Sequence, residues 1–232
     1  NERLKTNLIT NVSHDIKTPL TSIINYVNLL KNENFDDPRI QRYIEVLEQK
    51  SMRLKTLTED VVEASKITSG NIKLECMKLD FTELVLQTSA EYEEKFEERN
   101  LTEIQHLPKE KALVYIDGRR TWRILANLYN NAAKYAMTGS RIYTDLKVTE
   151  GAVIFSIKNI SEQPLNINAD QLTERFIRGD ISRSTEGSGL GLSIAQTLTE
   201  MQKGKFELYL DGDLFKATVT FPKVQEEQST QI

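Results

Sequence analysis

Apolar residues recur every three or four positions through the first third of the chain, which is the period of amphipathic helices. The first stripe consists of Leu4, Leu8, Val12, Ile16, Leu20, Ile23, Val27 and Leu30. A second stripe follows the turn-prone segment 31–38 and consists of Ile40, Ile44, Leu47, Leu54, Leu57 and Val61. Two long helices joined by a short loop form an antiparallel hairpin with too little apolar partner surface of its own. Because two hairpins paired as a four-helix bundle would bury that surface, the pattern predicts a homodimer.

The period of the pattern changes after Ser69-Gly70-Asn71, which is typical of a helix end. Strands are predicted at 72–79, 113–116, 141–148, 153–159, 205–210 and 214–221, and helices at 82–98, 119–136 and 190–201. The fold class is therefore α+β: a helical hairpin followed by an α/β sandwich. We expect a hairpin domain over 1–68, the sandwich over 72–223 and a polar tail over 224–232.

Charge and composition narrow the functional classes. The 232 residues carry 30 Lys and Arg against 34 Asp and Glu, for a net charge of −4, so a strongly basic nucleic-acid-binding surface is not expected. The longest run without charge, 18–30, is too short to cross a membrane. A single cysteine, Cys76, favours a reducing compartment such as the cytoplasm. Since the helical pattern is already running at Leu4, we expect a fragment of a longer protein, with a membrane anchor upstream.

One segment of the first helix carries chemistry. At 100° per residue, His14 falls opposite the apolar stripe and Thr18 lies one turn later, so both are predicted to face solvent. The segment 11–20, Asn-Val-Ser-His-Asp-Ile-Lys-Thr-Pro-Leu, resembles the H-box of bacterial sensor histidine kinases. The resemblance implies that His14 is the phosphoacceptor, that Asp15 accepts a hydrogen bond from its ring, and that Thr18 orients a water for dephosphorylation of a response regulator. A neutral imidazole is nucleophilic at physiological pH, which suits this role.

A second segment, Asn-Leu-Tyr-Asn-Asn-Ala-Ala-Lys-Tyr-Ala at 127–136, resembles the N-box of the same kinases. Its spacing places Asn127, Asn131 and Lys134 on one helical face, while the apolar residues between them pack inward. The resemblance implies that Asn131 is a ligand of Mg²⁺, which prefers oxygen atoms. It also implies that Asn127 supports the phosphates and that Lys134 and Tyr135 contact ATP.

A third segment, Gly-Ser-Gly-Leu-Gly-Leu-Ser at 187–193, resembles the G2-box of the family. Gly187, Gly189 and Gly191 would let the backbone approach phosphate oxygens, and a helix starting near Leu190 would point its free amide groups at them. The segment lacks the Gly-Lys-Ser/Thr of a P-loop and does not follow a strand, so it fits neither a P-loop nor a Rossmann fingerprint.

Two further elements complete the resemblance. The segment 174–180 resembles the F-box and contains Phe176 and Arg178; Arg178 would either neutralise phosphate charge or pair with Asp180. Residues 177–188 would form the ATP lid. Where the family has an Asp-x-Gly-x-Gly turn, this chain reads Lys-Asn-Ile-Ser-Glu-Gln-Pro at 158–164. We expect Asn159 to accept a hydrogen bond from the adenine amino group through its side-chain carbonyl, without charge and without the glycines.

The resemblance implies a sensor histidine kinase core that transfers the phosphoryl group from Mg²⁺-ATP to His14 and then to an aspartate of a response regulator receiver domain. It also implies that the core acts as a phosphatase of that regulator. One alternative is a degenerate kinase that acts as a dimeric scaffold or only as a phosphatase. Another is an ATP-hydrolysing clamp of the gyrase type, against which the H-box argues. Three other residues are expected to be structural: His106 at the surface of an edge segment, Trp122 as a core anchor and Cys76 as a small buried residue in a strand.

Overall fold

The computed structural model describes the backbone of residues 2–33, 35–68, 72–165 and 189–224, and the side chains of 16–33, 35–67, 72–165 and 189–224. The described residues divide into two compact units: the first runs to Ile72 and includes residues 189–190, and the second begins at Lys73 and includes the residues from Gly191 onward. Within the described ranges, no helix combines the length and apolar character needed to span a membrane.

The first unit is the helical hairpin, made of α1 (Glu2–Asn32) and α2 (Pro38–Thr68). The Asp37 side chain accepts a hydrogen bond from the Arg39 amide at 2.9 Å, and Pro38 occupies the first position of α2, where a missing N–H costs nothing. Arg39 also holds the pKa of the Asp37 carboxyl below its usual value. Farther along the two helices, Lys31 Nζ lies 2.8 Å from Glu48 Oε2. The predicted hairpin is therefore confirmed.

The hairpin buries only part of its apolar surface. Among its described side chains, the buried hydrophobic residues are Leu20, Val27, Ile44 and Ile67. Several other members of the two stripes are exposed, and on α2 they recur every seven residues: Ile40, Leu47, Leu54 and Val61. This heptad spacing is typical of a helix that contacts another helix along one seam.

The second unit is a sheet covered by helices. Its elements in chain order are β1 (Met77–Asp80), α3 (Phe81–Glu97), β2 (Thr102–His106), β3 (Leu113–Ile116), α4 (Gly118–Tyr135), β4 (Arg141–Val148), β5 (Ala152–Ile160), α5 (Gly191–Met201), β6 (Lys205–Asp211) and β7 (Leu214–Pro222). Five strands form one sheet in the order β2-β4-β5-β7-β6, in which only the β2–β4 pair is parallel among the described strands. A separate antiparallel pair joins β1 to β3.

An aromatic cluster fills the space between helices and sheet. Phe81 lies 6.0 Å from Phe155 and 5.6 Å from Phe221, measured between ring centroids, and Tyr129 stacks on Phe155 at 6.4 Å. The Tyr129 hydroxyl donates to Glu103 Oε1 at 2.8 Å, and burial raises the pKa of this tyrosine well above its ordinary value. These contacts fix the rotation of α4 about its own axis.

The structure corrects two expectations for single residues. Cys76 is half-buried and lies before β1 rather than within a strand, because the preceding Glu75 amide donates to the Asp117 carboxylate instead of to a strand partner. Trp122 is half-buried rather than a core anchor, because its Nε1 donates to Glu91 Oε2 at 3.1 Å on the surface of the unit. His106 lies exposed on the edge strand β2, as expected.

Candidate active site

Helix α4 is anchored at its start by a buried carboxylate. Asp117 accepts hydrogen bonds from the Arg120 amide at 3.1 Å and the Glu75 amide at 2.9 Å, which makes it the N-cap of the helix. The Asp117 amide in turn donates to Gln202 Oε1 at 2.7 Å, just after the end of α5. The start of α4 and the end of α5 are therefore held together.

The two faces of α4 differ as the sequence predicts. Leu125, Leu128, Ala132 and Ala136 are buried, with no more than 1% of any of them exposed. The four predicted nucleotide-contacting residues on this element are all half-buried: Asn127, Asn131, Lys134 and Tyr135. The Lys134 ammonium lies 5.0 Å from the centre of the Tyr135 ring, so a cation and an aromatic face occur together at the end of the helix.

The start of α5 lies directly against Asn127. A Cβ atom placed on Gly191 would be 3.4 Å from Asn127 Oδ1. Gly189, two residues earlier, adopts a φ of +72°, a left-handed conformation that glycine reaches without a steric cost. The first amide groups of a helix have no partner within the helix and favour anions. The structure therefore brings Gly191, from the glycine-rich segment, close to Asn127 of the N-box.

The side chain of Asn127 has an unsatisfied donor. Its Nδ2 atom is buried and has no hydrogen-bond partner within the part of the chain that the structure describes. Leaving a buried amide donor unpaired costs about 1–3 kcal/mol, so such an atom is unusual in a folded protein. An oxygen atom of a ligand placed between Asn127 and the start of α5 would remove this cost.

Asn159 has an unsatisfied hydrogen-bond acceptor. The residue lies near the end of β5 and is 4% exposed. Its Nδ2 donates to the Ile160 carbonyl at 3.2 Å, whereas its Oδ1 is buried and finds no donor among the described residues. A free acceptor in this position suits an exocyclic amino group of a base.

The turn after Asn159 is held by backbone hydrogen bonds to the end of α4. The Met137 amide donates to the Ile160 carbonyl and the Glu162 amide to the Tyr135 carbonyl, both at 2.8 Å. The Ser161 hydroxyl accepts from the Gln163 amide at 3.4 Å. These contacts give the segment a fixed shape although it lacks the glycines of the family turn.

Several predicted site residues lie partly or wholly outside the described part of the chain. His14 and Asp15 belong to α1, but their side chains lie outside the described part of the chain. Phe176, Arg178 and Gly187 lie outside it entirely. Thr18 is exposed on α1, Leu190 is buried and Gly189 is half-buried.

Arg99, which no sequence pattern indicated as a site residue, contacts the end of α4. Its guanidinium donates to the carbonyl oxygens of Ala133 and Lys134 and to the Glu162 carboxylate. No local signal marks this residue, because its partners lie 34 to 63 positions away in the sequence.

Two family comparisons match separate parts of the chain. Residues 4–70 match the family described as the His Kinase A (phospho-acceptor) domain. Residues 116–228 match the family described as histidine kinase-, DNA gyrase B-, and HSP90-like ATPase.

Curated relatives match nearly the whole chain. Sensor protein VanSC of Enterococcus gallinarum is 30% identical over 225 residues, which are 96% of this chain and 62% of the relative. Histidine protein kinase SaeS of Staphylococcus aureus (strain USA300) is 32% identical over 228 residues, which are 95% of this chain and 64% of the relative. The chain therefore spans a little over three fifths of the length of these relatives.

Solved structures share the fold. ShkA, a full-length protein crystallised in complex with AMPPNP, superposes with a TM-score of 0.77 at 20% identity, covering 95% of this chain and 47% of that one. The histidine kinase AdeS of Acinetobacter baumannii superposes with a TM-score of 0.64 at 20% identity, covering 91% of this chain and 98% of that one.

Proposed function

The chain belongs to the bacterial sensor histidine kinases, and on this premise we propose that it uses ATP to phosphorylate its own His14. A phospho-acceptor domain and an ATPase domain occur in one chain, in that order. The proposed domain limits are 1–68 for the hairpin, 72–223 for the ATP-binding sandwich and 224–232 for the tail.

One observation carries the nucleotide site. Asn127 lies against Gly191 at the start of α5, and its buried Nδ2 has no partner in the described part of the chain. A phosphate oxygen would accept from this atom and from the first amide groups of α5 at once. The solved relative ShkA carries AMPPNP, an ATP analogue, which supports the same ligand class here.

The adenine end of the nucleotide would lie at Asn159. Its buried Oδ1 would accept a hydrogen bond from the adenine amino group, while Nδ2 stays bound to the Ile160 carbonyl. Guanine carries an oxygen where adenine carries that amino group, so the arrangement favours ATP over GTP.

Asn131 would contribute a ligand to Mg²⁺, because its half-buried amide lies one turn after Asn127 on α4. When bound, Mg²⁺ supplies positive charge that neutralises the phosphate oxygens during transfer. Lys134 would add a second positive charge at the end of the same helix. Arg178 and the glycines of the 187–191 segment are proposed to complete the phosphate contacts.

Phosphoryl transfer requires a nucleophile on the hairpin. A lone pair on one ring nitrogen of His14 would form the bond to the γ-phosphorus while the bond to the bridging oxygen breaks and ADP leaves. Asp15 would hold the N–H of the other ring nitrogen, which fixes the tautomer and stabilises the cationic ring. In a second step an aspartate of a response regulator would take the phosphoryl group from His14. Thr18, which is exposed and lies one turn after His14, would orient a water molecule that hydrolyses the phosphoryl group from the regulator.

The hairpin is proposed to act as a homodimer. Its exposed heptad row on α2, together with a groove of about 280 Å³ lined by Val27, Glu48 and Met52 among others, offers a surface for a second hairpin. We place the segment in the cytoplasm, where ATP and response regulators occur, as part of a longer membrane-anchored sensor.

Incubation with ATP labelled at the γ-phosphate distinguishes the possible activities. The proposed kinase gives protein-bound label that is stable to base and released by acid, as expected for phosphohistidine. A degenerate kinase gives no protein-bound label even in the presence of Mg²⁺. A clamp of the gyrase type releases labelled phosphate and leaves the protein unlabelled.

A further inference from the structure

The last carbonyl groups of α4 are satisfied by a side chain from another element. Arg99 follows α3, and its Nη1 donates to the carbonyl oxygens of Ala133 at 2.8 Å and Lys134 at 2.6 Å. A cation is favoured there because the C-terminal end of a helix carries partial negative charge and unpaired carbonyls.

The same guanidinium reaches the turn that follows Asn159. Its Nη2 donates to Glu162 Oε2 at 2.7 Å and to Thr138 Oγ1 at 3.1 Å. An arginine presents its donors in one rigid plane, so it holds several acceptors in a fixed relation. The Arg99 side chain is 24% exposed, and this partial burial reduces the screening of its ion pair with Glu162 by water.

The backbone of Arg99 is itself fixed. Its carbonyl accepts from the Gly139 amide at 3.1 Å, and Asn100 closes the end of α3 in a left-handed conformation with a φ of 52°. Asparagine adopts this conformation more readily than most residues. The guanidinium is therefore presented from a rigid corner rather than from a mobile loop.

We propose that Arg99 is a positioning residue for nucleotide binding, which fixes the end of α4 relative to the turn that carries Asn159. The end of α4 carries Asn131 and Lys134, which are proposed to act on the phosphate side, and the turn follows Asn159, which is proposed to bind the adenine amino group. In this chain the segment 159–164 contains no glycine, and Glu162 gives Arg99 a charged group to hold in that turn. The inference rests on the proposed nucleotide site.

Calorimetric titration of the full chain with Mg²⁺-ATP tests the proposal. Arg99→Ala is expected to raise the dissociation constant about tenfold or more, as is common when a residue that orients a ligand-binding group is lost. Arg99→Lys restores part of the affinity, since one ammonium reaches only some of the four acceptors. Glu162→Ala removes only the ion pair between Arg99 and the turn, so it is expected to raise the dissociation constant by a smaller factor. This variant tests the proposal even if Arg99→Ala does not fold.

Ser89→Ala is the matched control. Ser89 donates to Glu103 and accepts from Gln105 in the same unit, away from the end of α4, so its loss lowers the melting temperature without changing the dissociation constant. If Arg99→Ala lowers the melting temperature but binds ATP as tightly as the wild type, the positioning role is overturned. A wild-type chain that does not bind ATP overturns the proposed nucleotide site, and this inference with it.

Discussion

The two units of this chain differ in how much of their apolar surface they bury. In the sheet-containing unit Phe81, Phe155, Phe221 and Tyr129 are all completely buried. In the hairpin, Tyr26 is 69% exposed and Leu29 is 58% exposed within a single chain. A unit with a closed core can be stable by itself, whereas two helices that leave this much apolar surface open need a partner. The difference agrees with the proposal that the phospho-acceptor unit dimerises, since the sheet-containing unit buries its own core and the hairpin does not.

The largest change in a binding constant is expected for a charge on the open face of the hairpin. Leu47→Glu would bury an unpaired carboxylate in the proposed dimer interface and raise the dimer dissociation constant about a hundredfold or more. Leu86→Glu is the matched control, because Leu86 on α3 is 47% exposed and Leu47 is 49% exposed. Sedimentation equilibrium measures both variants. A Leu47→Glu chain that dimerises like the wild type would show that the open face is not the interface.

The closed core predicts the next effect. Phe155→Ala removes a ring that contacts both Phe81 and Tyr129, and it is expected to lower the free energy of unfolding of this unit by about 3–5 kcal/mol. The control Tyr209→Ala, on the exposed side of β6, should change it by less than about 0.5 kcal/mol. Urea unfolding followed by the fluorescence of Trp122, the one tryptophan of the chain, reports on this unit alone. Equal losses in the two variants would contradict the assignment of the core.

The smallest effect concerns the acid stability of the sheet-containing unit, through the ion pairs of Asp145 on β4. Burial by itself raises the pKa of Asp145, but hydrogen bonds from His106 at 2.7 Å and Lys158 at 3.0 Å outweigh it and hold the pKa below its ordinary value. A carboxyl whose pKa is lowered on folding stabilises the fold above about pH 4, and the contribution disappears as the pH falls through the lowered value.

Asp145→Asn should therefore cost up to about 1 kcal/mol at pH 7 and almost nothing near pH 2. The urea midpoint of the Trp122 signal, measured at both pH values, checks this expectation. The hairpin contributes nothing to the difference, because Asp145 and its two partners all lie in the sheet-containing unit. A loss of equal size at the two pH values would contradict the ion-pair explanation.

Local pattern was enough to predict most of the elements, because each depends on residues close in sequence. The parallel edge strand β2 was not among the predicted strands. The inward face of α4 follows from the spacing of Leu125, Leu128 and Ala132, and the β4–β5 hairpin follows from two apolar runs around Glu150-Gly151. Strand β1 was predicted too long. The residues before Met77 alternate like a strand, but the Glu75 amide donates to the Asp117 carboxylate and not to a neighbouring strand.

Long-range contacts could not be predicted in the same way. The clamp of Arg99 on Ala133 and Glu162 joins three elements, and nothing in the residues around Arg99 distinguishes it from an ordinary surface cation. The unpaired Asn159 Oδ1 likewise depends on how Nδ2 finds the Ile160 carbonyl in the folded chain. The motifs identify which residues carry the chemistry, and the fold determines which residues hold them in place.

The most direct test of the central claim uses the two histidines of the chain. The wild-type chain, His14→Gln and His106→Gln are incubated with γ-labelled ATP and Mg²⁺, and acid-labile, base-stable label on the protein is measured. We predict that His106→Gln is labelled like the wild type, whereas His14→Gln dimerises and binds ATP but carries no label. Acid-labile label that persists on His14→Gln would contradict the assignment of His14 as the phosphoacceptor.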